Sequence, residues 1–160
     1  MPADPLPIAL RPETPADGEF LLELYASTRK EEMEAFGWPE TTRKAFLGMQ
    51  FAAQQQAYRA AFPLAEFSVI TLGGQDVGRM VVHRGEAEFR LVDIAVMPEH
   101  RGQGIGTRLI EDLLRSAKAA GKPVGLSVLK GQRPVSLYQR LGFRKTGEDI
   151  LRLRMEWRGE

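Results

Sequence analysis

Ile105, Leu109, Leu113 and Ala117 recur at the spacing of one helix face, which predicts an amphipathic helix over 104–120. Gly121 and Pro123 follow it as a stop signal. Upstream, the period changes from helical to alternating. Residues 66–72 and 77–83 read as paired strands around a Gly73-Gly74 turn, and 88–96 as a longer strand closed by Pro98. Residues 124–129 form the short apolar run of a buried parallel strand, so 88–96, 104–120 and 124–129 make a right-handed βαβ unit. A short strand over 8–11, stopped by Pro12, opens the pattern after a loose, proline-rich 1–7. Thr14-Pro15-Ala16-Asp17 then starts a helix carrying Phe20, Leu21, Leu24 and Tyr25, which fades at Ser27-Thr28. The pattern breaks over 29–39, where Glu31, Glu32 and Glu34 flank Met33, Phe36 and Trp38. It reads there as an acidic turn with its two aromatic rings pinned into the core. A second helix over 41–61 places Phe46, Met49, Ala53, Ala57 and Ala60 on its apolar stripe and Gln54-Gln55-Gln56 on its outer face. Another helix covers 134–141, ended by Gly142. In the last strand Leu151, Leu153, Met155 and Trp157 alternate with charged residues.

No repeat or linker divides the 160 residues, so 1–160 is expected to be a single domain with one substantial core. Composition narrows the function classes. A net charge of +1 lacks the basic excess of a nucleic-acid binder. Arg140, Arg144, Lys145, Arg152 and Arg154 fit solvated faces, and no nucleic-acid or membrane partner is expected. With no cysteine there is no disulfide and no acyl-cysteine intermediate, and the two histidines, His83 and His100, form no metal-ligand cluster. No apolar run approaches a membrane span and no signal peptide is visible, so a cytoplasmic protein is expected.

The chemistry concentrates between the 88–96 strand and the 104–120 helix. Gly102, Gly104 and Gly106 alternate in a loop that feeds a helix N-terminus, where unpaired N–H groups favour an anion. The glycines admit close approach and Arg101 adds a positive charge, which points to a phosphorylated ligand. A P-loop would need a lysine after Gly106, and a dinucleotide fold would need a different glycine spacing and an acid in the 124–129 run. The pattern present is Arg/Gln-x-x-Gly-x-Gly/Ala, filled by Arg101, Gly104 and Gly106.

With Asp-Ile-Ala-Val-x-Pro-Glu before that loop and Leu137-Tyr138-Gln139-Arg140-Leu141-Gly142-Phe143 downstream, the chain resembles the GNAT superfamily of N-acetyltransferases. The resemblance covers nearly the whole chain, with its specific motifs between Glu88 and Phe143. It implies an α/β fold: a mixed, mostly antiparallel sheet with a central, splayed parallel strand pair and helices on both faces. It also implies direct transfer of an acetyl group from acetyl-CoA to a primary amine of a small molecule or protein. Family members are often dimers.

The resemblance carries roles to particular positions. The pantetheine arm is expected to pair with the backbone of Ile94, Ala95 and Val96, with the Ile94 or Val96 amide polarising the thioester carbonyl. The diphosphate is expected on Arg101, Gly102, Gln103, Gly104, Ile105, Gly106 and Thr107. Gln132 stands where many members have a cofactor-contacting asparagine, and Lys130 and Arg133 lie near an adenosine 3′-phosphate or are plain surface charges. Tyr138 matches the tyrosine that protonates the departing thiolate. The family's strand glutamate has no counterpart, because its position holds Arg90. Glu88, two residues earlier on the same face, is the candidate base, with Asp93 of opposite parity and a water chain as alternatives. The region over 29–39 matches the wall of the acceptor pocket, where acids and Trp38 would receive a cationic amine. Two other readings stay open: a non-catalytic acyl-CoA-sensing module, and a nucleotide-binding enzyme.

Overall fold

In the computed structural model, residues 6–130 and 134–159 are described. In chain order they form β1 (Ile8–Pro12), a 3-10 turn at Pro15–Asp17, α1 (Gly18–Thr28), α2 (Lys30–Phe36), α3 (Glu40–Ala61), β2 (Glu66–Leu72), β3 (Gln75–Arg84) and β4 (Phe89–Val96). A 3-10 turn at Pro98–His100 follows, then α4 (Ile105–Ala120), β5 (Val124–Leu129), α5 (Pro134–Arg140), β6 (Arg144–Glu148) and β7 (Arg152–Trp157). The seven strands are ordered β1-β2-β3-β4-β5-β7-β6. β4 and β5 run parallel, whereas β1-β2, β5-β7 and β6-β7 are antiparallel. The chain folds as two compact units: residues 1–81 with 93–103, and residues 82–92 with 104–160.

In the first unit, Val69, Ile70, Val77 and Val81 are fully buried along β2 and β3, with Leu21, Leu24, Met33 and Leu47 from the helices. Its entry to α1 is stapled by charge. Arg11 donates to Asp17 at 2.7 and 2.9 Å and to Asp76 at 3.0 Å, while the Thr14 N–H donates to Asp17 at 2.8 Å in a capping box. The Arg11 hydrogen bonds, then that of the Thr14 amide, hold the Asp17 carboxyl well below its ordinary range. Its contribution to stability is therefore complete above the unfolded-state value, about 3.9, and fades as pH falls through and below it. Asp17→Asn should lower the melting temperature at pH 7 by a few degrees and flatten its decline below pH 4. Melting curves at pH 3–7 check this.

Three expectations for this unit are corrected. Residues 30–36 are a helix, not a turn, and Met33 is their one buried residue, at 2% exposure. Phe36 and Trp38 are not core: they are 58% and 37% exposed, with their rings stacked at 5.1 Å. α3 also turns a different face inward. Leu47 is buried and Met49 is 73% exposed, while Gln55 points inward to a buried arginine.

In the second unit, Ile105, Leu109, Ile110, Leu113, Leu114 and Ala117 are the buried face of α4, as the periodicity predicts. Gly121 ends that helix with φ of 70°. Val124 and Leu126 of β5 and Met155 of β7 are buried as well, but Leu151 is exposed and precedes its strand. β6 is an addition. Its sequence, Arg-Lys-Thr-Gly-Glu, is polar throughout, and a register shift between Lys145 and Gly147 breaks its pairing with β7.

Candidate functional site

β4 is buried at its start, where Phe89 and Leu91 are 6% and 4% exposed, and only half-buried over residues 92–97. Its parallel ladder with β5 registers Phe89 with Val124 and Arg90 with Gly125. No later β4 residue has a registered β5 partner among the described residues, although β5 continues along β7 to Leu129. On the other side, the Met97 N–H donates to Val77 O of β3 at 2.8 Å. Backbone groups alternate between the two edges of a strand, so the Ile94 and Val96 amides point away from β3.

Gly78 of β3 sets how closely that backing strand approaches. A Cβ there would collide with Ala95 O and meet Val96 Cα at 3.2 Å. Nothing in the local sequence marks this glycine, whose reason is a nonlocal backbone contact. Gly78→Ala forces the Ala95-Val96 backbone to move. It is expected to cost about 1–3 kcal/mol, as overpacking does, and chemical denaturation reads that loss.

The strand ends in the glycine loop. Gly102 and Gly104 have φ of 77° and 80°, and nothing lies within 4 Å of where either Cβ would sit. Both positions favour glycine for its backbone freedom, and both leave the peptide face open. Gly104 is the N-cap of α4, and the first helical hydrogen bond runs from the Arg108 N–H to Gly104 O at 2.9 Å. The amides of Ile105, Gly106 and Thr107 therefore belong to the turn that has no intrahelical acceptor. Gly106 lies inside that turn with ordinary helical backbone. Arg101 is drawn back onto the strand: its Nε donates to Val96 O at 2.9 Å, and its Nη2 lies 3.5 Å from Ser27 Oγ. It fixes the loop to the end of β4 and leaves its charge there.

The acids named from sequence separate. Glu88 precedes β4 and covers Gly125, where a Cβ would meet its Oε2 at 2.7 Å. Its carboxylate lies 3.7 Å from Arg90, which donates to Ser127 Oγ at 3.0 Å. Asp93 instead joins a buried cluster that the sequence reading missed. Arg79 of β3 is 2% exposed; its Nε donates to Glu13 at 2.9 Å, its Nη2 to Gln55, and its Nη1 lies 3.7 Å from Asp93 Oδ2. Burial pushes the Asp93 carboxyl up; the Arg79 charge and a hydrogen bond from the Ile94 N–H oppose this, and the Glu13 charge reinforces it. One signal could have found the cluster: a lone arginine in the otherwise apolar run Val77-Gly78-Arg79-Met80-Val81-Val82.

In α5, Tyr138 is 7% exposed and packs edge-on against Phe143 at 5.6 Å. Lys130 is held by Glu148 at 2.7 Å, which Lys145 also pairs. Gln132 and Arg133 lie outside the described residues. Among those described, no group of three or more metal-ligating side chains occurs and no helix is long and apolar enough to cross a membrane.

A mostly antiparallel sheet with one parallel pair, whose inner strand runs through a glycine loop into a helix N-terminus, defines an α/β fold with a loop suited to a phosphorylated ligand. Residues 63–145 match the acetyltransferase (GNAT) domain family, and the chain belongs to it. N-acetyltransferase 8 of Rattus norvegicus is 34% identical over an alignment 93 residues long that covers 53% of this chain and 42% of that protein. The chain thus matches less than half the length of that relative. Among solved structures, the PaiA N-acetyltransferase of Thermoplasma acidophilum in complex with coenzyme A superposes with a TM-score of 0.71 at 18% identity, covering 96% of this chain and 99% of that one. An acetyltransferase from Thermus thermophilus gives 0.66 at 19% identity, covering 94% and 96%.

Proposed function

We propose that this protein transfers an acetyl group from acetyl-CoA to a primary amine in one ternary complex. The observation that carries the reading is the junction of β4 and α4. There a half-exposed strand end with amides turned away from β3 is followed by two left-handed glycines and a helix N-terminus. Family membership makes acyl-CoA the ligand to expect at that junction. A relative in the same fold was crystallised with coenzyme A. The site suits the group chemically: open peptide faces at Gly102 and Gly104 and the amides of Gln103, Ile105, Gly106 and Thr107 match a diphosphate, with Arg101 adding charge.

When bound, acetyl-CoA supplies an activated thioester. The residues of this chain bind and orient it. The edge of Ile94, Ala95 and Val96 receives the pantetheine amides as an added strand would. The Ile94 or Val96 amide, both turned away from β3, is assigned the oxyanion contact. A single donor of this kind is worth about 10²–10³ in rate. Tyr138 is assigned the proton for the leaving sulfur. The amine acceptor is a small molecule or a protein.

Release of free thiol from acetyl-CoA, measured across a panel of spermidine, glycine, an α-amino peptide and a lysine side chain, tests the reading. Thiol release that depends on an amine is expected. Tight coenzyme A binding with no release for any amine would instead favour an acyl-CoA sensor.

A further inference from the structure

Transfer to an amine needs a group to take the ammonium proton, and the structure offers two acids with different surroundings. Glu88 stands at the paired end of the parallel ladder, its charge matched by Arg90. Asp93 stands beyond the registered pairs, one residue before the edge assigned to the thioester, and its side chain keeps 25% exposure.

The cluster behind Asp93 is unevenly paired. Arg79 is held at 2.9 Å by Glu13, whose side chain is 5% exposed, and is clamped by Gln55 from α3. Its guanidinium is also bounded by the rings of Phe67 and Tyr58, at 5.6 and 5.9 Å. Arg59 stacks on Phe67 and reaches Glu13 only at 3.9 Å. The arginine's charge is thus committed to Glu13, and Asp93 receives it loosely, at 3.7 Å. A carboxylate so placed is desolvated, under-neutralised and still open to solvent, the combination that makes a general base.

We infer that Asp93 is the proton acceptor for the incoming ammonium, with Glu13 and Arg79 as positioning residues that keep it basic. This rests on the acetyl-transfer reading. The ammonium gives one proton to an Asp93 oxygen; the freed nitrogen lone pair forms the C–N bond as the C–S bond breaks. The second nitrogen proton replaces the one Tyr138 gives to sulfur, and Asp93 returns its proton to solvent. One ammonium and one thioester become one amide, one thiol and one released proton.

The test is kcat/KM against pH for the amine that wild type acetylates best, with melting temperature and coenzyme A affinity measured on each variant. Asp93→Asn should lower kcat/KM at pH 7 by about 10²–10³, recover as pH approaches the pKa of the amine, and leave coenzyme A affinity within about twofold. Asp93→Glu should restore part of the rate. Glu13→Gln keeps an acceptor for Arg79 but removes a charge, so the acidic limb should move to lower pH. A loss in Asp93→Asn that is equal at every pH, no loss at all, or an unmoved limb in Glu13→Gln would overturn the assignment. If Asp93→Asn does not fold, Glu13→Gln alone decides. No thiol release by wild type with any amine overturns the acetyl-transfer reading and this assignment together. Release that Asp93→Asn shares overturns only the assignment.

Discussion

Tyr138→Phe is expected to lower kcat by about tenfold to a hundredfold, at or below the low end of what general acids contribute. The modest size follows from the leaving group. A thiol ionises near pH 8.5, so a thiolate departs with little help, while a phenol of pKa about 10 remains protonated and able to donate at neutral pH. The substitution removes one oxygen and keeps the ring that packs against Phe143, so the melting temperature should move little. Coenzyme A affinity should hold and the deficit should persist at saturating amine, because the missing proton acts after both substrates are bound. Steady-state kinetics with a calorimetric binding control distinguish this from a packing role, in which stability and affinity would fall with rate.

Gly104→Val is expected to weaken coenzyme A binding about tenfold or more, because glycine is what permits the close backbone approach here. Two effects act together. At φ of 80° a β-branched residue is strained, so the N-cap turn of α4 would rearrange. The valine methyls would also occupy the space left open beside the peptide that is assigned to the diphosphate. Arg108 N–H bonds the carbonyl of this same residue, so rearrangement there reaches the first turn of the helix. Calorimetry should show the rise in Kd. An unchanged affinity would move the diphosphate elsewhere.

Features carried by short-range pattern were legible in the sequence. α4 presents six buried residues at helical spacing, and the glycines before it must be read as backbone freedom, so strand, loop and helix follow from the residues themselves. Features set by a partner far along the chain were not. Gln55 counts as polar in any periodicity, yet it faces inward because it answers a buried Arg79. α2 hides behind its three glutamates, since one buried methionine is too little to mark a helix face. β6 is a polar strand that pairs with β7 alone, and polar strands carry no alternating signal. In the candidate site the same division holds. The loop and Tyr138 stand out in the sequence pattern, whereas Gly78, Glu13 and Arg79 make contacts across 17, 66 or 14 positions that only folding creates.

The most direct measurement is a backbone amide NMR titration of the protein with coenzyme A. The predicted result is saturable shifts largest at Gly102, Gln103, Gly104, Ile105, Gly106 and Thr107, with a second set at Ile94–Val96. Saturation with those amides unmoved and the largest shifts elsewhere would contradict the placement of the diphosphate on this loop.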